Sequence, residues 1–218
     1  MQAPHFIVFR QEETLLHSTH QLQPPFFLAA PPFVEDQRFK MAVILLVDLD
    51  ESGALGFILN NKSTLSLDQV VDHDHLEIPG GIPVWNAGPE DPTLGIVLHN
   101  QQQHHYEQEI VPGVCLSASQ ETLTTLINNS LHTTMKGHSF TPHPTSQVLH
   151  PFRLLIGYTG WTSGQLEDEL QRGLWVKVPL DLEILFNLDH RRMWQTVIER
   201  SDFKVQAHLL SHHGQWLH

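Results

Sequence analysis

The stretch Gly157-Tyr158-Thr159-Gly160-Trp161-Thr162-Ser163-Gly164-Gln165-Leu166-Glu167-Asp168-Glu169-Leu170 constrains the fold more than any other part of the chain. An apolar run, Leu154-Leu155-Ile156, enters it and reads as a buried strand. The glycines and the two aromatics that follow predict a turn, and a short helix leaves it. Thr162 with Gln165 three residues later fits a capping box, whose side chains satisfy free backbone N–H groups of a first turn. Glu167, Asp168 and Glu169 place negative charge near the positive end of the helix dipole. Leu166 and Leu170 share one face, and Gly173 can stop the helix in the left-handed conformation.

Around this stretch the chain predicts mainly short strands. His5 to Phe9, Phe26 to Ala30, Phe39 to Val47, Leu55 to Leu59, Val84 to Asn86, Leu94 to His99, Val114 to Leu116 and Leu174 to Val178 are apolar runs bounded by turn residues. Asp48 to Gly53 reads as the turn of an antiparallel hairpin. Helices are expected after Ser66, over Gln120 to about Asn129, as one turn over Leu182 to Phe186, and after Asp189, where Met193, Trp194, Val197 and Ile198 are spaced to share a face. Residues 72–83, 100–109 and 132–150 read as polar loops, the last as a mobile one. Leu55 to Asn61 echoes Leu94 to Asn100, through duplication or coincidence; if through duplication, Asn60 and His99 occupy equivalent strand ends.

Composition narrows the function. Lys and Arg total 12 against 24 Asp and Glu, a formal charge of -12. That balance repels phosphate backbones, and direct nucleic-acid binding is not expected. The single cysteine, Cys115, lies in an apolar run and reads as a buried thiol in a reducing compartment. The chain opens without a secretory pattern, and its longest apolar run, Met41 to Val47, is far too short to span a bilayer. A soluble cytoplasmic protein with no membrane contact is expected. With all 17 histidines protonated, the formal charge moves from -12 to +5, so solubility and association should respond to pH.

Motifs that carry chemistry are absent or incomplete. Asp48-x-Asp50-x-Ser52-Gly53 imitates the start of a calcium loop, but its twelfth position is Leu59 rather than a bidentate Glu. Gly160-Trp161-Thr162-Ser163-Gly164 places its serine one position late for a nucleophile elbow. Asp72-His73-Asp74-His75 and His104-His105 lack ligand spacing and read as solvated loop residues. No cofactor and no dedicated metal site is expected.

The central stretch resembles the signature of the AlgH/YqgE family, an uncharacterised bacterial family with plant relatives, whose GY-x-GW-x-x-GQLE-x-E-L run and following Gly-x-Trp correspond to Gly157 through Trp175. Phe27-Leu28-Ala29 with Pro31, Asp36 with Phe39, Gly53-Ala54-Leu55-Gly56 with Asn60, and Asn86-Ala87-Gly88-Pro89 resemble other family segments in order, as do Gly95 with Leu98 and His99, Gly113 with Leu116 and Ser117, and Ile184-Leu185-Phe186. The chain departs from the family at Asn60-Asn61-Lys62, where Asn-Arg-Pro is common, near Asp48, where the family has a histidine, and at Ala87, the second position of N-G-G-P. The resemblance implies an α+β fold with α/β-type layers, in a single domain with a largely antiparallel, barrel-like sheet packed by several short helices. It implies that domain over residues 26–199, between an N-terminal extension, 1–25, and a C-terminal tail, 200–218. The family's name comes from a proposed link to alginate-gene regulation, and the resemblance carries no established reaction. Direct transcription-factor action fits poorly with the charge and with the lack of a helix-turn-helix pattern.

Two functions remain in view. One is a non-catalytic binding or regulatory module acting on a protein partner or small ligand, through Asn60, Asn86, His99, Tyr158, Trp161, Gln165 and Glu167. These residues serve equally well as holders of turns and helix ends. The other is an enzyme using His99 with Glu167 or Asp36 as acid–base groups.

Overall fold

The computed structural model describes residues 23–71, 78, 80–101, 108–135 and 152–201, with 131–135 described in backbone only. Its elements, in chain order, are β1 (Phe26–Ala29), β2 (Val43–Asp50), β3 (Gly53–Ile58), β4 (Lys62–Ser66), α1 (Leu67–Val70), β5 (Pro83–Asn86), β6 (Glu90–His99), β7 (Gln108–Val111), β8 (Val114–Ser117), α2 (Gln120–Met135), β9 (Phe152–Thr162), α3 (Gln165–Gln171), β10 (Val176–Pro179), α4 (Leu182–Asn187) and α5 (His190–Arg200). The single-domain α+β class expected from the sequence is the one found. Strands β5 and β9 run parallel, and the other pairings described are antiparallel. The expected strand over His5 to Phe9 and the C-terminal tail beyond Ser201 lie outside the described residues.

The chain divides into two compact units. The split unit is drawn from residues 24–60 and 160–201, and the inserted unit from 61–159. In the split unit β1 lies between β10 and β2, with Phe27 opposite both Val178 and Leu45. All of β1 is buried, as are Val43 to Leu46 of β2. Burial on both faces explains why these segments read as unbroken apolar runs. Each fully buried Leu or Phe there contributes roughly 1.5–3 kcal/mol. The β2–β3 hairpin turns at Glu51-Ser52, where the Asp50 carboxylate accepts from the N–H groups of Ser52 (2.7 Å) and Gly53 (3.2 Å). The calcium-like acidic run is thus a hairpin turn in which the Asp50 carboxylate binds the turn's own backbone N–H groups.

In the inserted unit β6 lies between β9 and β8, and β8 pairs with β7. Val97, Phe152, Leu154 and Val84 pack with Leu123, Leu126 and Ile127 of α2 and with Leu67 of α1. The expected helix ending near Asn129 runs on to Met135, so residues 132–135 are helical rather than loop, and 136–150 lie outside the described residues.

Three boundaries differ from the sequence reading for definable reasons. The strand expected from Phe39 begins at Val43, because Ala42 N–H closes a turn on Phe39 O (2.9 Å) and Met41 takes a left-handed φ of 55°. Gly157 to Thr162 is no turn but the second half of β9. The turn falls at Ser163-Gly164, and the cap of α3 is Gly164 (φ 72°) rather than Thr162. Thr162 and Gln165 still pair: the Thr162 N–H and hydroxyl donate to Gln165 Oε1 at 3.0 and 3.1 Å, with Thr162 two positions ahead of the Gly164 cap. Gly173 ends α3 with φ 71°, as expected.

Candidate functional site

In the split unit the signature residues converge on a carboxylate. Trp161 at the end of β9 donates its indole N–H to Glu169 Oε2 at 2.8 Å, and Trp175, just before β10, donates to the same oxygen at 2.7 Å. Gln165 donates from Nε2 to Glu169 Oε1 at 2.8 Å, one helical turn earlier on α3. The indoles stand edge to face, 6.1 Å between centroids, and each is 7% exposed. A buried indole needs an acceptor for its N–H, and a carboxylate is a strong one, contributing about 2 kcal/mol per bond. The tryptophan, glutamine and glutamate spacing of the signature therefore encodes a clamp that fixes α3 against the strand ends on either side of it.

Trp175 carries the clamp further. Its ring meets Phe39 edge to face at 5.6 Å. Phe39 belongs to the loop of residues 31–41 that joins β1 to β2. This loop is tied internally by Val34 N–H to Pro31 O (3.1 Å) and Phe39 N–H to Asp36 O (3.0 Å). The Asp36 carboxylate accepts from Arg38 Nη2 at 2.7 Å and Nε at 3.1 Å, and Arg38 stacks over the Phe39 ring at 5.4 Å. The Arg38 bonds hold the Asp36 carboxyl below the usual carboxylate range. At the base, Trp194 of α5 donates to Ala30 O at 2.7 Å. Asn60 spans the other side: Nδ2 donates to Met41 O (2.8 Å) and Oδ1 accepts from Val43 N–H (2.9 Å). On this frame Phe33 is 42% and Met41 48% exposed, large apolar side chains presented to solvent by a tethered backbone.

The inserted unit holds the remaining candidates. Asn86 is exposed, and its backbone N–H donates to Asn61 O at 2.9 Å. Tyr158 pairs across the sheet with Glu90. His99 ends β6 fully buried, and its Nδ1 accepts the Gln101 N–H at 3.3 Å. Asn60 lies two residues beyond the end of β3, whereas His99 is the last residue of β6, and each side chain bonds backbone. Arg153 is buried with its guanidinium 4.9 Å over the Trp85 ring, and burial lowers its pKa to about 10.

Of the residues singled out from sequence, the structure thus brings Trp161 and Gln165 onto one carboxylate and sets Asn60 at the base of the 31–41 loop. Glu167 sits half-buried in the first turn of α3. Asn86, Tyr158 and His99 lie in the other unit. Sequence reading missed Glu169 as the hub. The available signal was two tryptophans each in need of an acceptor, with Glu169 four residues from Gln165 on the same helical face. Phe33 and Met41 gave no sequence signal, because exposure is a tertiary property.

The molecule is thus an α+β protein whose signature residues bond one another beside a braced loop that exposes Phe33 and Met41. The chain belongs to the AlgH-like family, whose model matches residues 27–206. It is 34% identical over 175 residues to a UPF0301 protein of Coxiella burnetii, covering 78% of this chain and 83% of that one. It is 28% identical over 177 residues to a UPF0301 protein of Myxococcus xanthus, covering 80% of this chain and 88% of that one. The solution structure of the AlgH protein from Pseudomonas aeruginosa superposes with a TM-score of 0.62 at 28% identity, over 84% of this chain and 92% of that one. A crystal structure of a Corynebacterium diphtheriae protein shares the fold with a TM-score of 0.61 at 17% identity, over 85% of this chain and 90% of that one. No described helix is long and apolar enough to cross a membrane.

Proposed function

We propose that this protein is a non-catalytic binding or regulatory module acting on a protein partner or a small ligand. The observation that supports this reading is the 31–41 loop. Its backbone is tied at both ends and in the middle, yet it exposes Phe33 and Met41. Ordering a loop before it binds removes part of the entropy cost of recognition, and a left-handed Met41 is a strained conformation of the kind found at such sites. In this reading Asn60, Trp161 and Gln165 hold the surface rather than touch the ligand, and Asn86, Tyr158, His99 and Glu167 are peripheral. A cytoplasmic location fits the buried free thiol of Cys115. The charge of -12 favours regulation through protein or small-molecule contacts over direct grip on DNA.

The enzymatic alternative draws less support. His99 is buried beneath the sheet surface, and Arg38 makes Asp36 a weaker base. A thermal-shift panel of nucleotides, metabolites and divalent metals separates the readings, run on the wild type and on a Phe33→Ser, Met41→Ser double variant. A ligand that binds only the folded state raises Tm by mass action. The expected result is a ligand that stabilises the wild type and not the double variant. Equal stabilisation of both would place the site elsewhere, and turnover of a hit with loss on His99→Ala would favour the enzyme.

A further inference from the structure

We infer that Glu169 is a latch that sets the conformation of the 31–41 loop, acting through Trp175 and Phe39; the functional weight given to the loop rests on the binding reading above. The path is short and every link is a contact. Glu169 Oε2 holds the Trp175 indole at 2.7 Å. The held ring presents its face or edge to Phe39 at 5.6 Å. Phe39 is the residue on which the loop closes twice, donating its N–H to Asp36 O at 3.0 Å and accepting from Ala42 N–H at 2.9 Å. The same Glu169 oxygen also holds Trp161, so Trp175 is fixed from a second direction by an edge-to-face contact at 6.1 Å.

Two features make this a coupling device rather than ordinary packing. The carboxylate is shared, so loss of one acceptor frees both indoles together. The loop it supports carries exposed Phe33 and Met41, and a ligand engaging them must act on a backbone whose internal bonds run through Phe39. Coupling is reciprocal: whatever holds Trp175 orders the loop, and whatever grips the loop orders Trp175. Glu169 is therefore a positioning residue, remote from the exposed side chains it governs.

Amide hydrogen exchange tests the latch without any ligand, so its failure is separable from failure of the binding reading. In Glu169→Ala the amides of Phe39 and Ala42 should exchange about tenfold faster, while those of Leu45 and Leu46 in the buried centre of β2 keep their wild-type rates. Glu169→Gln should restore slow loop exchange, because its side-chain carbonyl oxygen can accept from both indoles. If Glu169→Ala does not fold, Trp175→Phe provides the second reading: it keeps a ring beside Phe39 but has no N–H for Glu169, and loop exchange should still rise. Equal acceleration of loop and β2 amides would make Glu169 a general stability residue and overturn the latch. Unchanged loop exchange in either variant would do so too.

Discussion

Asp189 shows how one carboxylate can settle both the start of a helix and its response to pH. It caps α5 by accepting the Arg191 N–H at 2.9 Å, and it also accepts from Arg191 Nη2 at 2.8 Å. The Arg191 side-chain bond, with the backbone bond behind it, lowers the Asp189 pKa from 3.8 to about 2. A carboxylate with a depressed folded-state pKa stabilises the fold above its unfolded pKa and loses that contribution as pH falls through the folded value. Asp189→Ala should therefore cost about 1 kcal/mol near neutral pH. The gap between wild type and variant should shrink as pH drops from about 4 towards 2, the window set by these two pKa values. Denaturant titrations across that range check it; a gap independent of pH would mean that the helix start does not depend on the ionised form. Glu169 teaches a related lesson at the candidate site. Its importance lies in being shared by Trp161, Trp175 and Gln165, and a residue-by-residue reading of the motif gave it only a role in helix-dipole charge.

At the level of elements, β9 carries the family signature, and its irregular middle depends on one glycine. Gly157 has φ 74°, and a side chain there would meet the carbonyl oxygens of Glu90 and Gly88 at 2.7 Å. Gly157→Ala should destabilise the protein by about 2 kcal/mol or more, through strain and overpacking together. A lowered denaturation midpoint with an unchanged m-value would register it, and wild-type stability would show that the backbone relaxes freely at this bend. The same element explains what the sequence could and could not disclose. Leu154 to Ile156 was legible as a buried strand because its apolar run is continuous. The glycines beyond it suggested a turn, yet Tyr158, Thr159 and Trp161 have strand-forming side chains, and pairing with β6 as far as Tyr158 kept the strand going. Strands β4 (KSTLS) and β7 (QEIV) were not legible because none of their residues is buried and no apolar alternation marks them. Helices α4 and α5 were legible because apolar spacing is a local signal; the expected Asp189 cap of α5 is made, and α4 has an Asp181 cap that the sequence reading did not single out. The loop of residues 31–41 was not legible as a site, since what distinguishes it is the set of distant residues, Asn60, Trp175 and Trp194, that hold it.

For the whole molecule, charge sets the conditions under which exposed apolar residues matter. At neutral pH the formal charge of -12 keeps copies apart, and the pI is about 5.7. Between pH 7 and that point, histidines take up protons and repulsion disappears. Exposed Phe33, Met41, Leu65 and Leu182 are then no longer shielded from contact with other copies. Self-association should therefore rise as pH is lowered from 7 towards 5.7 and fall again below it, where histidine protonation carries the net charge positive. Because surface repulsion is screened over roughly 8 Å at physiological ionic strength, added salt at pH 7 should reproduce part of the rise. Light scattering against pH, at low and moderate salt, measures both effects. The Phe33→Ser, Met41→Ser variant then identifies the adhesive surface. If its association at pH 5.7 is much weaker than that of the wild type, the braced loop is the stickiest apolar surface on the protein, as a binding surface should be. If the two proteins associate alike, the loop has no special affinity for apolar contacts, and the case for it as the recognition surface falls with that result.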